Sequence, residues 1–193
     1  EVLIAASAIG FYGDRGSERL TEERAPGSGF LSQLCVDWEA ASAPAREAGV
    51  RVIHLRIGMV LGRGGGALPP LLTPFRLGLG GRIGSGKQYW SWVSLDDVVH
   101  MIVFGLATKT LAGAVNAVGP EPVTNSEFTE ALGEVLHRPT LFPLPEWVVR
   151  MALGEMGQAL LLCSARVEAG KLKEAGYRFR HLHLREALHD AVM

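Results

Sequence analysis

Short apolar runs alternate with helical stripes along the first half of the chain. Residues 2–6, Val-Leu-Ile-Ala-Ala, have no polar interruption, which is the pattern of a strand buried on both faces of a parallel sheet. Turn-forming and polar residues fill 13–29. From Phe30 onward the apolar positions Phe30, Leu31, Leu34, Cys35, Trp38 and Ala41 fall on one helical face, predicted to turn inward. A second β-prone run, residues 50–55, follows Gly49, so the unit reads strand, crossover helix, parallel strand. That is α/β architecture.

The pattern then changes twice. Residues 62–86 are rich in glycine, interrupted by Leu68-Pro-Pro-Leu-Leu72 and Phe75-Arg-Leu77, and read as a long loop with a short helix inside it. Residues 89–93 have strand composition, and Ser94 with Asp97 predicts an N-cap. The helix it opens should run to about Lys109 with Val98, Val99, Ile102, Val103 and Leu106 inward. Residues 114–118 read as another strand. Thr124 with Glu127 is a capping box for a helix whose core side carries Phe128, Leu132, Val135 and Leu136. Beyond Pro139 the chain turns mostly helical, with expected helices over 147–153 and along 155–174 and a stop at Gly176.

Composition narrows the function classes. The chain has 193 residues, 48% of them apolar and 20% charged, and a mean hydropathy of +0.18, which belongs to a packed protein and excludes disorder. A net charge of -1 without a Lys/Arg block removes the electrostatic footprint of a nucleic-acid binder. No uncharged stretch is long enough to span a bilayer. Two cysteines, Cys35 and Cys163, cannot make a disulfide framework or a four-thiolate metal site, so no metal is expected and a reducing, cytoplasmic setting is. The chain opens on Glu1 and enters a core strand at once, without a basic leader, which reads as a fragment and not as a signal peptide.

Two glycine motifs invite over-reading. Gly10-Phe-Tyr-Gly13-Asp-Arg-Gly16 has dinucleotide-loop spacing, yet no apolar helical stripe follows it and Asp14 would bring negative charge to a phosphate. Gly81-Arg-Ile-Gly-Ser-Gly86-Lys87 matches a phosphate loop until position eight, where Gln88 replaces the magnesium-binding hydroxyl and a strand follows in place of a helix. Both read as turns.

Four segments together carry a specific likeness: Ser7-Ala-Ile-Gly-Phe-Tyr-Gly-Asp-Arg-Gly16, Phe30-Leu-Ser-Gln-Leu-Cys-Val-Asp-Trp-Glu39, Leu55-Arg-Ile-Gly-Met-Val-Leu-Gly-Arg-Gly-Gly-Gly66 and Pro74-Phe-Arg-Leu-Gly-Leu-Gly-Gly-Arg-Ile-Gly-Ser-Gly86. The chain resembles the epimerase family of atypical extended short-chain dehydrogenases/reductases, a group labelled nucleoside-diphosphate-sugar epimerases or cell-division inhibitors. Its tail, from His137 to Val192, is similar to that family's C-terminal domain. The resemblance implies a Rossmann-like parallel-sheet remainder over 1–120 with an inserted substrate loop at about 62–92, and a helical lobe over 121–193. It also implies a fingerprint half lying upstream of Glu1.

By this resemblance NADP or NAD is the cofactor, met by Ala6, Ser7, Ala8, Arg56, Ile57, Gly58, Met59 and Val60 at two strand ends, where open parallel sheets place their ligands. Ser7 is the catalytic candidate, with a turn cap as its plainer role. Gly58→Trp is then expected to exclude cofactor while leaving the fold intact. Arg63, Trp90 and Trp92 are placed on the substrate side, though the two tryptophans fit a core role equally well. The family's Tyr-x-x-x-Lys pair, aligned on Glu39, falls on Leu31 and Cys35, and neither can move a proton or hold a ribose. Tyr12 matches an ordinary turn tyrosine. Two readings follow: an NAD(P)-dependent epimerase, dehydratase or reductase acting on a small molecule such as a nucleotide sugar, or a cofactor-binding regulatory protein without redox turnover. No nucleic-acid or membrane partner is expected, and a homodimer is left open.

Overall fold

The computed structural model describes all 193 residues, Glu1–Met193. Strand β1 (Val2–Ala8) runs into a 3-10 turn, Ile9–Tyr12; the short β2 (Arg19–Leu20) precedes α1 (Phe30–Ala40) and α2 (Ala43–Glu47), and the chain re-enters the sheet as β3 (Arg51–Ile57). Strands β1 and β3 pair in parallel, Val2 opposite Arg51 through Ala8 opposite Ile57. This is the strand, helix, strand unit that the pattern predicts.

From β3 the chain passes through β4 (Met59–Leu61), α3 (Leu68–Arg76), β5 (Tyr89–Trp90) and β6 (Trp92–Ser94) before α4 (Leu95–Ala107) leads to β7 (Gly113–Ala117). Strand β7 adds to β3, giving a three-stranded parallel sheet in the order β1-β3-β7. Thereafter come β8 (Val123–Thr124), α5 (Asn125–Leu136), α6 (Glu146–Gly157), a π turn at Gln158–Leu162, β9 (Arg166–Val167), α7 (Gly170–Glu174) and α8 (Leu184–Val192). No helix is long and apolar enough to cross a membrane. The predicted helix along 155–174 is instead interrupted, because the segment carrying Ala165 and Val167 extends to pair β9 with β2 and drops both side chains into the core.

Two helical faces are rotated from their predicted positions. On α1, Ser32 and Cys35 are buried, whereas Phe30 is 77% and Trp38 52% exposed. Polar contacts decide this: Ser32 Oγ donates to the Phe11 carbonyl at 2.7 Å, and Glu39, on the same side, reaches Arg56. On α4 the buried positions are Asp97, Val98, Met101 and Gly105, while Val99, Ile102, Val103 and Leu106 are exposed. Gly105 sets that rotation. A Cβ there would lie 3.3 Å from Ile4 and Ile53, so the helix approaches the sheet along its smallest residue. The caps are as predicted: Ser94 accepts from the Asp97 amide, and Thr124 with Glu127 forms a complete capping box.

Two apolar cores result, and they do not divide at residue 120. The first joins the sheet with Tyr12, Leu20, Cys35 and Met101 and also takes Ala165, Val167, Leu172 and Tyr177 from the tail. The second unites α3 and the glycine-rich loop (Leu68, Leu72, Phe75, Ile83) with Trp90, Trp92, α5 and α8. The tail therefore stitches both cores together.

Candidate functional site

The carboxyl ends of β1 and β3 converge, as the parallel register requires, so Ser7 and Gly58 lie at the same end of the sheet. Side chains alternate there. Ser7 and Arg56 turn toward α1, while Ala6, Ala8 and Ile57 turn to the opposite face.

The α1 side is a closed polar network. Ser7 Oγ donates to Glu39 Oε1 at 2.9 Å, and the Arg56 guanidinium meets both Glu39 oxygens at 2.8 Å, a two-point ion pair. Arg56 also lies 3.4 Å over the Phe11 ring and donates to the Tyr12 hydroxyl at 3.0 Å. Tyr12 donates in turn to Asn116 Oδ1 at 2.7 Å, and Asn116 binds the Leu20 and Glu168 carbonyls. Burial works against the Glu39 charge, but the Arg56 hydrogen bonds and charge, with the Ser7 hydroxyl and His54, hold its carboxyl below the usual range. Burial pushes the Tyr12 phenol up, against the pull of Arg56 and Asn116. His54, bonded to Ser42 at 2.8 Å, is lowered by its burial. The Ser7 and Tyr12 hydroxyl protons are both committed within this network, which ties the 3-10 turn to the strand end.

The opposite side is apolar. Ala6 is exposed, whereas Ala8, Ile57 and Val60 are half-buried against the first core and Met59 against the second. Leu31 is half-buried and Cys35 buried, so the two positions matched to the family's Tyr and Lys hold no proton donor.

Segment 89–92 lies across the end of β3. Met59 N donates to the Ser91 carbonyl at 2.8 Å, and a Cβ on Gly58 would collide with that carbonyl oxygen. Gly58→Trp would therefore break this backbone packing and disturb the fold itself, contrary to the sequence expectation. Trp90 and Trp92 turn into the second core, Trp92 only 1% exposed and Trp90 edge-on to Phe128 at 5.1 Å. Neither indole face is open to a substrate, so the core role holds for both. Arg63 is spent elsewhere, its Nε donating to the Asp190 carbonyl at 2.7 Å near the end of α8. Of the predicted residues, then, the fold brings Ala6, Ser7, Ala8 and 56–60 together; Trp92 pairs with Met59 through its backbone but turns its indole into the second core with Trp90, and Arg63 is held at the end of α8.

Alternation along β5 sends Tyr89 the other way from Trp90. Its ring carries the Arg166 guanidinium at 4.8 Å, its amide donates to Ser164 Oγ, and its hydroxyl makes no hydrogen bond. The Arg166 Nε is buried without an acceptor. Ser164 also bonds the Gly16 carbonyl and, through its own carbonyl, the Arg15 amide. Through Ser164, then, Tyr89 of the segment that crosses β3 is joined to the loop that follows β1. Sequence reasoning missed Tyr89 and Arg166, because nothing local distinguishes an arginine 77 positions from its tyrosine; 166 − 89 gives that separation. No group of three or more His, Cys, Asp or Glu side chains is arranged to hold a metal.

The glycine motifs are turns. Gly13 and Gly16 adopt positive φ, and no helix begins until α1. The Gly81–Lys87 loop presents carbonyls to the start of α5, where Gly86 O and Gln88 O accept the Ser126 and Asn125 amides, leaving no free helix N-terminus for a phosphate.

A family model described as "Domain of unknown function (DUF1731)" matches residues 144–191. The chain is 47% identical over 186 residues to Epimerase family protein Mb2239 of Mycobacterium bovis, covering 96% of this chain and 62% of that protein. It superimposes with a TM-score of 0.91 and 34% identity on the crystal structure of human epimerase family protein SDR39U1 (isoform2) with NADPH, over 97% of this chain and 64% of that one. The nucleoside-diphosphate sugar epimerase from Corynebacterium glutamicum gives a TM-score of 0.80 at 36% identity, over 98% of this chain and 37% of that one. The chain spans about six-tenths of the length of the curated relatives it matches. Over the residues it shares with them, this chain is of the epimerase family, in the atypical short-chain dehydrogenase/reductase class.

Proposed function

We propose that this chain forms the nicotinamide-facing floor and part of the substrate pocket of an NAD(P)-dependent epimerase- or reductase-like protein acting on an anionic small molecule. The observation that carries the reading is the convergence of the apolar carboxyl ends of β1 and β3, Ala6, Ala8 and Ile57 to Val60, at one end of the parallel sheet. The NADPH of the human SDR39U1 structure supports the same cofactor class. A reduced nicotinamide would supply hydride there.

The residues present fit that group in part. The methyl groups of Ala6 and Ala8 suit a flat, uncharged ring face. Phosphates have no matching cradle in this chain, since neither glycine motif opens a free helix end. The cofactor's adenosine and pyrophosphate are therefore assigned to length that the relatives have beyond the match. Arg166, with a fork of N–H donors and no acceptor, suits a substrate carboxylate or phosphate.

A second reading is favoured by one feature: the usual Tyr and Lys positions are Leu31 and Cys35, and Ser7 is committed to Glu39. A protein so equipped can bind cofactor as a regulatory signal without turnover. Calorimetric titration of NADPH and NADH into this chain, and into a form extended to its relatives' length, tests the shared premise. Weak binding to the chain and tight binding to the extended form is expected; no binding to either refutes both readings. Oxidation of the bound reduced cofactor by a carbonyl compound then separates turnover from regulation.

A further inference from the structure

We propose that the surface where the turn after α3 meets the segment between α5 and α6 docks on an anionic lipid membrane. Residues 76–84 and 138–144 run side by side there. Arg138 Nε donates to the Arg76 carbonyl at 3.0 Å, the Phe142 amide to the Gly80 carbonyl at 3.3 Å, and the Leu144 amide to the Arg82 carbonyl at 2.8 Å. A Cβ on Gly81 would collide with the Phe142 carbonyl, so the close approach of the two segments depends on that glycine. Their backbones are spent on one another, but their apolar side chains are not: Leu77, Leu79, Leu141 and Phe142 are each more than half exposed. Helix α6, which begins at Glu146, adds Trp147 and Met151, one turn apart on a single face and exposed to the same degree. Val149, on the opposite face, enters the second core and fixes which side of the helix turns outward.

Charge decides what such a surface fits. Arg76, Arg82 and Arg138 are exposed on the same two segments and enter none of the chain's ion pairs. Of the acidic side chains on α5 and α6, Glu127 is taken by the Thr124 cap, Glu134 by Arg185 and Glu146 by Arg150. Glu155 lies past the non-helical break at Gly154, leaving Glu130 against three arginines. In a chain whose net charge is -1 this is a local cationic excess. The other exposed apolar faces differ: neither α1, with Phe30 and Trp38, nor α4, with Val99, Val103 and Leu106, carries a single Lys or Arg. Leucine and phenylalanine side chains can enter the acyl boundary of a membrane, an indole sits at its polar edge, and guanidinium forks meet the lipid phosphates. The sequence expectation of no membrane partner rested on the lack of a spanning stretch, and a surface that only rests on lipid needs none. The cofactor reading above is not required.

The test is flotation of this chain, and of the form extended to its relatives' length, with vesicles of phosphatidylcholine alone or mixed with phosphatidylglycerol. Both forms should bind the mixed vesicles and bind the neutral ones about 100-fold more weakly. In a Trp38→Phe background, where Trp90 and Trp92 are buried, binding should shift the Trp147 fluorescence to the blue. Leu141→Ser with Phe142→Ser should lower the partition about 100-fold at an unchanged melting temperature, because both side chains are exposed in the free protein. Arg76→Gln and Arg82→Gln should each lower it about fivefold, and added salt should weaken wild type in the same direction. No binding to either vesicle, equal binding to both, loss of binding in the extended form, or partition that ignores these substitutions each overturns the assignment. So does a concentration-dependent dimer that Leu141→Ser with Phe142→Ser dissolves, since the surface then belongs to a second copy of the chain.

Discussion

Two buried polar hubs hold this molecule together by different means. Under the sheet, the Arg56 guanidinium is matched by the Glu39 carboxylate, charge against charge, with Ser7, Tyr12 and Asn116 extending the chain of bonds across β1, α1, β3 and β7. At the start of α4, Asp97 is 1% exposed and accepts the Ser94 and Tyr177 hydroxyls and the Arg180 and His181 amides, without any guanidinium or ammonium. The first hub joins β1, α1, β3 and β7; the second clasps residues 177–181 onto the start of α4. The lesson is one of geometry. The Arg56 guanidinium, with five donors and no acceptor, is met by both oxygens of one carboxylate, whereas the Asp97 carboxylate is satisfied by hydroxyl and amide dipoles converging on it.

The comparison can be broken first at the ion pair. Arg56→Met leaves Glu39 buried and unpaired and should cost about 3–5 kcal/mol in urea denaturation, while Arg56→Met with Glu39→Leu should recover most of that. A double variant as unstable as the sum of its singles would mean that the two charges act independently. Asp97→Asn is expected to cost less, about 1–3 kcal/mol, because the amide still accepts from some of its donors while turning an N–H toward others. Its signature is regional: earlier proteolysis within 177–193, with the sheet still protected from hydrogen exchange. Loss of protection across β1 and β3 in that variant would erase the distinction between the hubs.

Acid should act on the first hub. Both Glu39 and His54 have folded pKa values below their unfolded ones, the former through Arg56 and the latter through burial. A depressed value contributes stability that is complete above the unfolded pKa and is lost as pH falls toward the folded one. The His54 share therefore fades below about pH 6.5 and the Glu39 share only below about pH 4.3. Unfolding measured from pH 8 to pH 4 should weaken first in that upper window, and His54→Gln should remove that portion alone. The smallest effect concerns the thiols. Burial and Asp14 raise the Cys163 thiol to about 11, and Cys35 is buried, so both should react slowly with iodoacetamide at neutral pH in the folded chain. Rapid labelling of Cys35 would show that α1 leaves the sheet readily.

Legibility followed the range of the forces involved. The strand-helix-strand unit, the Ser94 cap and the Thr124–Glu127 capping box rest on residues within a few positions of one another, and local periodicity or hydrogen bonding specifies them. The convergence of the carboxyl ends of β1 and β3 was equally legible, because a parallel crossover brings two carboxyl ends together whatever the rest of the chain does.

What the tertiary structure alone decided is which face of each helix is inward and which charges remain unspent. Apolar spacing on α1 pointed to Phe30 and Trp38, but Arg56, brought up from β3, required Glu39 to face the sheet and carried Ser32 and Cys35 with it. Trp90 and Trp92 became core because α5 and α8 close over them, and Arg63 was taken by the end of α8. Arg166 lies over Tyr89 with its Nε unmet for the complementary reason: no acceptor from any distant segment arrives beside that nitrogen. Whether a charge is paired depends on contacts between residues far apart in the chain, and no local pattern encodes them.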